Sequence, residues 1–70
     1  MSNKHEFSNS SFISHVDYHE NGTMEIKFSS GAVYHYPNCD RVHYDALKSA
    51  ASAGKYFHTQ IRRLKSVKVF

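Results

Sequence analysis

The stretch VDYHENGTMEIKFSSGAVYHY, residues 16–36, decides the fold, because two short loops divide it into three strand-like runs. The loops are ENG at residues 20–22 and SSG at residues 29–31, each with glycine in third place. A three-residue hairpin loop ends on a residue with positive φ, a conformation that glycine adopts without steric cost. The spacing therefore predicts two consecutive β-hairpins, although Asn21-Gly22 alone is also compatible with a two-residue turn.

The strand register decides between the two kinds of turn. Three-residue loops place Ser14 opposite Phe28 and collect the apolar side chains on one face. That face comprises Val16, Tyr18, Met24, Ile26, Phe28, Ala32, Tyr34 and Tyr36. The other face comprises His15, Asp17, His19, Glu25, Lys27, Val33 and His35. Two-residue turns would mix the two sets and bury unpaired polar groups, at about 1–3 kcal/mol each, so the three-residue loops are favoured.

The pattern changes from alternating to helical after Pro37. Tyr44, Leu47 and Ala51 follow helical spacing, and Asp40 is a suitable N-cap for this first helix. A second helix is predicted from residues 52–54 to about residue 64. Ser52 is its expected cap, and its apolar stripe consists of Phe57, Ile61 and Leu64.

This order of elements predicts an α+β fold: a three-stranded antiparallel β-meander covered on one face by two C-terminal helices. Residues 1–10 are polar and are expected to form a flexible N-terminal tail. Residues 11–64 form the single domain. Residues 65–70, which alternate weakly, are predicted to be a C-terminal tail or a short strand.

The ordered motifs resemble those of the KTSC domain family, which is named for the C-terminus of some lysyl-tRNA synthetases and also occurs as stand-alone bacterial and phage proteins. SSFISHVDY, MEIKFSSGAVYHY and YDALKSAASAGKYFHTQIR are similar to its three conserved segments. The chain departs from the family pattern at Cys39-Asp40, where Val-Pro is common, and at His58, where Asn is common. The resemblance implies structural roles for one set of residues: Gly31, Tyr34, Tyr36, Ser52, Gly54 and Phe57. It also suggests RNA binding, through the synthetase context.

Composition restricts the class of protein. Seventy residues make one domain at most, and Cys39, the one cysteine, cannot form a disulfide within the chain and is expected to be a buried apolar residue. No apolar run approaches the ~20 residues of a membrane span. We therefore expect a cytoplasmic protein with no membrane partner and no cofactor.

The sequence does not show the pattern of a catalytic site or a metal site. Asp17, Glu25 and His35 align across the three predicted strands, with His19 nearby, but they lie on an open face rather than in a pocket. No nucleophile, base and oxyanion pattern is visible. The sequence predicts a non-enzyme without a metal site.

Charge is divided unevenly along the chain. Residues 1–40 hold two lysines against five carboxylates, whereas residues 41–70 hold seven Lys and Arg side chains against Asp45 alone. This division predicts a basic C-terminal surface that binds RNA, either tRNA or a single strand, through its phosphates. The predicted contacts are Lys48, Lys55, Tyr56, Arg62, Arg63, Lys65 and Lys68. Secondary candidates on the sheet face are His15, Lys27 and His35.

A protein-interaction or assembly module is the alternative. The first and third strands of the predicted meander are edges, which can pair with another chain or with a second copy. The segment VKVF at residues 67–70 could supply such a strand and bury Phe70. In this alternative the basic helix docks on an acidic protein.

Overall fold

The computed structural model describes residues 3–8 and 10–70. It is an α+β fold whose antiparallel sheet has five strands, not the three predicted, in the order β1-β2-β3-β4-β5. The strands are β1 Asn3–Glu6, β2 Ile13–Tyr18, β3 Met24–Phe28, β4 Val33–Tyr36 and β5 Val67–Lys68. Each strand therefore pairs with its neighbour in sequence, and the edges are β1 and β5.

Both three-residue loops form as predicted. Gly22 and Gly31 have φ of 86° and 99°, and each donates its N–H to the residue that precedes its loop. Tyr18 pairs with Met24 and Val16 with Ile26, and the second hairpin pairs Ile26 with Tyr34 and Met24 with Tyr36. The predicted division into an apolar and a polar face is thereby confirmed over most of the sheet.

The register prediction was wrong at the start of β2. Ile13, not Ser14, lies opposite Phe28, because a bulge interrupts the ladder between Ile13 and His15. The extra residue turns the Ile13 side chain into the core, where it is fully buried. The bulge thus adds an apolar side chain that strict alternation would have placed on the other face.

β1 comes from the segment predicted to be a flexible tail, and β5 comes from residues 65–70, predicted to be a C-terminal tail or a short strand. β1 pairs with β2, with Lys4 opposite Asp17 and Glu6 opposite His15. β5 pairs with β4, and the exposed fraction of Phe70 is 81% in the single chain, so burial of this ring by a partner stays a prediction. The predicted flexible tail also includes residues 1, 2 and 9, which lie outside the described residues.

The helices are shorter than predicted. α1 spans Arg41–Ser49 and is capped by the Asp40 carboxylate, which accepts from the Val42 N–H at 3.1 Å. Ala51 therefore lies beyond α1 and is exposed, contrary to the predicted stripe. α2 spans Ala53–Tyr56 and continues as a π-helical segment, Phe57–Ile61.

The helices cover the apolar face of the sheet and close one core. Tyr36 and Phe57 are buried, whereas Tyr34 and Leu64 are only partly so. Cys39 is buried as predicted, and burial together with the nearby Asp40 raises the pKa of its thiol. The core consists of Ile13, Val16, Met24, Ile26, Phe28, Tyr36, Cys39, Tyr44, Leu47, Ala53, Phe57 and Ile61. Neither helix among the described residues is long and apolar enough to cross a membrane.

Candidate nucleic-acid interface

The turn after the π-helical segment Phe57–Ile61 holds two of the predicted RNA contacts. The Arg62 N–H donates at 2.8 Å to the carbonyl of Phe57, which lies five residues earlier. This separation in sequence is that of a π-helical turn. Arg63 follows and donates from its guanidinium to the Thr59 carbonyl at 3.4 Å. Both arginines are exposed and line one shallow cleft together with His58 and Thr59. The helix end therefore presents two adjacent guanidinium groups to solvent.

Two lysines extend this basic region into the last strand. Lys65 and Lys68 are exposed, and Lys68 lies opposite Tyr34 in the pairing of β5 with β4. We call Arg62, Arg63, Lys65 and Lys68 the basic edge. None of the four forms an ion pair with a carboxylate in the part of the chain that the structure describes. Their positive charge is therefore not neutralised by a neighbouring side chain there.

Of the other predicted helical contacts, Lys48 and Tyr56 have partners of their own, whereas Lys55 is exposed. Lys48 is on α1, where its Nζ lies 4.2 Å from the centre of the Tyr44 ring and 3.5 Å from the Asp45 carboxylate. Lys55 is exposed in the first turn of α2. The Tyr56 ring is half-buried, and its hydroxyl lies 3.2 Å from His43 Nδ1. Tyr56 therefore packs between the two helices rather than standing free beside the cations.

A groove lined by aromatic rings adjoins the basic edge. Its volume is about 380 Å³, and its lining includes Phe12, Phe28, Tyr34, Phe57 and Arg62. We call it the aromatic groove. The sequence did not predict Phe12 at a site, because this residue lies in the loop before β2, where it belongs to no periodic pattern. The Phe12 ring centre lies 5.1 Å from that of Phe28 and 5.5 Å from that of Phe57, which places it beside the two buried rings.

The polar face of the sheet carries a different cluster, centred on Glu25. Nε2 of His19 and Nε2 of His35 lie 3.2 and 3.0 Å from Oε1 of Glu25, and Nε2 of His15 lies 3.7 Å from Oε2. Burial alone would raise the pKa of the Glu25 carboxyl, but hydrogen bonds from the histidines outweigh it and lower the pKa. His15 and His35, predicted as secondary contacts, thus face a carboxylate.

Two further polar residues lie on this face. Asp17, predicted to lie on an open face, is only 8% exposed, because β1 flanks β2 and places Lys4 opposite it. Its Oδ1 has no hydrogen-bond partner among the described residues. Lys27 pairs with His15 across the strands and lines a shallow cavity with Lys4. No group of three or more His, Cys, Asp or Glu side chains in residues 3–8 and 10–70 is arranged to hold a metal ion.

The residues to which the resemblance assigns structural roles lie in turns, caps and the core. Gly31 closes the second hairpin loop, and Ser52 accepts the Lys55 N–H at 3.3 Å as the cap of α2. A Cβ at Gly54 would lie 3.6 Å from Phe12, an ordinary contact distance. Phe57 and Tyr36 are buried. Of this set, Tyr34 is the half-buried ring, and it lines the aromatic groove.

Comparison with known proteins identifies the family. The chain is similar to a KTSC domain protein from Yersinia pestis, whose crystal structure superposes with a TM-score of 0.88 at 25% identity over 100% of both chains. A search of curated proteins found no match. The family profile of the KTSC domain matches residues 9–64, which is most of the chain. The protein therefore belongs to the KTSC domain family.

Proposed function

We propose that this domain binds RNA without catalysis, through the phosphate groups that the basic edge contacts. The observation that carries the proposal is the set of four exposed cations, Arg62, Arg63, Lys65 and Lys68, without a carboxylate partner among the described residues. Lys and Arg contacts to phosphate supply affinity that does not depend on base sequence. A tRNA or a single-stranded RNA is the expected partner.

The remaining predicted contacts are expected to contribute less. Lys48 is paired with Asp45, and His15 and His35 already contact the carboxylate of Glu25. A cation that is already paired must give up that partner to bind a phosphate, and the net gain is small. Lys55 has no such partner among the described residues and extends the basic surface along α2.

Fluorescence anisotropy with a labelled tRNA, a single-stranded RNA and a duplex DNA near physiological salt tests the proposal. The double variant Arg62→Glu/Arg63→Glu is expected to bind either RNA at least tenfold more weakly than the parent, because it replaces two phosphate contacts with two repulsive charges. Circular dichroism and thermal unfolding establish that the variant is folded.

A matched variant controls for the change in net charge. Lys4→Glu/Arg41→Glu alters the charge by the same amount, and both of its exposed cations already face carboxylates, Glu6 and Asp45. We expect this control to retain most of the affinity. Absence of RNA binding by the parent at high micromolar concentration, or an equal loss in both double variants, would contradict the proposal.

Self-association is a second candidate function, favoured by an apolar patch on the outer sheet face. Val33 and Val69 are joined by a backbone hydrogen bond of 2.8 Å, and Val67 lies opposite His35. The exposed fractions of Val67 and Val69 are 55% and 47%. A second copy could cover this patch. Sedimentation velocity over a hundredfold range of concentration tests the idea, and a monomer throughout would refute it.

A further inference from the structure

We propose that the aromatic groove takes an unpaired nucleobase of the RNA whose phosphates contact the basic edge. This inference rests on the proposed RNA binding. It adds that a base of the RNA binds in the groove, next to the phosphates on the basic edge. It assigns a role to Tyr34 and Phe12, the two half-buried rings of the groove.

The rings of the groove are arranged in two layers. Phe28 and Phe57 are buried, with centres 5.2 Å apart and planes nearly perpendicular, and they form its floor. Tyr34 meets Phe28 edge-on at 5.6 Å, and Phe12 is tilted against Phe28 at 5.1 Å. Tyr34 and Phe12 are only partly covered and both line the groove, but Phe12 also stacks on His58, with ring centres 5.0 Å apart. Tyr34 is therefore the ring expected to stack on the base. A flat aromatic ligand can stack there, as bases do on the aromatic side chains of RNA-binding proteins.

The rim of the groove has the charge expected for a nucleotide. Arg62 lines both the groove and the neighbouring arginine cleft, so it lies between the site for a base and the site for a phosphate. Ser30 and Ser66 are exposed at the rim, and their hydroxyls can donate to and accept from base edges. No Asp or Glu lines the groove among the described residues. A positive, hydroxyl-bearing rim around an apolar floor favours an anionic aromatic ligand over an aliphatic side chain.

Two RNAs that differ only in their bases test the inference. A labelled hexauridylate and a hexamer of the same length with abasic riboses carry the same phosphates. Fluorescence anisotropy at one salt concentration is expected to give a dissociation constant about tenfold lower for hexauridylate, which is the effect of stacking one base.

Two substitutions at one position separate stacking from fold. Tyr34→Leu removes the ring and is expected to make the two hexamers bind equally. Tyr34→Phe keeps the ring and is expected to preserve the tenfold preference for hexauridylate. Thermal unfolding of both variants establishes that each is folded under the conditions of the titration.

The methyl group of Ala32 provides a direct readout, because Ala32 also lines the groove. A base stacked nearby should shift its NMR resonance through the ring current, whereas the abasic hexamer should not. Ala53, which is buried and does not line the groove, serves as the reference methyl.

The outcomes are distinguishable from those that test RNA binding itself. If neither hexamer binds, base insertion is refuted, and the titration with labelled tRNA decides whether the proposed function stands. If both hexamers bind the parent equally and the Ala32 resonance does not move, base insertion is refuted while phosphate binding stands. A preference for hexauridylate that persists in Tyr34→Leu also overturns the assignment to this groove.

Discussion

Tyr34 and Tyr36 lie two residues apart on the same face of β4, yet their surroundings differ. Tyr36 is 3% exposed, and burial together with the neighbouring Tyr34 and Cys39 raises its pKa to about 12, although Ser66 acts in the opposite direction. Tyr34 is partly exposed at the aromatic groove. The alternation of the sequence places both rings on the covered face but cannot show that the helices leave one of them uncovered.

Alanine substitutions should therefore have unequal effects on stability. We expect Tyr36→Ala to lower the free energy of unfolding by roughly 3–5 kcal/mol, as for other buried aromatic rings, and Tyr34→Ala by about half as much. Urea unfolding monitored by circular dichroism measures both. Equal losses would show that Tyr34 is as fully packed as Tyr36 in solution.

The lowered pKa of Glu25 makes the stability of the fold depend on pH. Its pKa is lowered in the folded protein, so the carboxylate stabilises the fold above its unfolded pKa near 4.5, and this contribution is lost as the pH falls through the folded value. The parent should be more stable than Glu25→Gln at pH 7, and the difference should shrink at pH 3. Urea unfolding of both proteins at the two pH values measures it.

Asp45→Asn provides the control for this pH experiment. Asp45 is 54% exposed and faces Arg41 and Lys48 on the surface of α1. Exposed ion pairs contribute little, so this variant should differ from the parent by less than about 1 kcal/mol at pH 7. A pH-independent difference between parent and Glu25→Gln would contradict the role given to the histidines.

Gly31 and Gly54 should respond oppositely to alanine. Gly31 ends a hairpin loop with φ of 99°, which an L side chain adopts at a cost of about 1 kcal/mol or more. Gly54 lies in α2, where a Cβ meets Phe12 at 3.6 Å and alanine favours the helix by up to about 1 kcal/mol. Thermal unfolding should show Gly31→Ala below the parent and Gly54→Ala at or above it. The reverse order would contradict the turn assignment.

The hairpins could be predicted because their loops and their alternation agree on one register. β1 could not, since NKHE shows no apolar alternation, and β5 could be predicted only as one of two alternatives, since VK is two residues long. Both strands depend on pairing with a neighbour that is already formed, which is a tertiary effect. The bulge before His15 escapes prediction for the same reason, because burial of Ile13 decides it.

The candidate site was also predictable only in part, because tertiary packing decides which residues lie together. The cations of the basic edge were visible in the sequence as an excess of charge after residue 40. The contact of Tyr56 with His43 depends on how α1 and α2 pack, and Phe12 enters the groove from a loop. Charge composition therefore indicated the surface, whereas its boundaries required the fold.

The whole chain separates its charges in space as well as in sequence. Two carboxylates of the first half face cations or histidines of the sheet: Glu25 contacts His15 and His35, and Glu6 lies 3.8 Å from Lys4. Asp45 lies on α1, between Arg41 and Lys48. The arginines and lysines that follow α2 have no such partners among the described residues. This separation is the basis on which we propose phosphate binding at one edge of the molecule.

The salt dependence of RNA binding tests that function most directly. Each phosphate contact on a single strand contributes about −0.7 to the slope of log K against log salt concentration. For Arg62→Gln/Arg63→Gln, anisotropy titrations with hexauridylate at several salt concentrations should give a slope less negative than that of the parent by about 1.4. A slope equal to the parent's would mean that the two arginines do not contact phosphate, and would contradict the assignment of RNA binding to the basic edge.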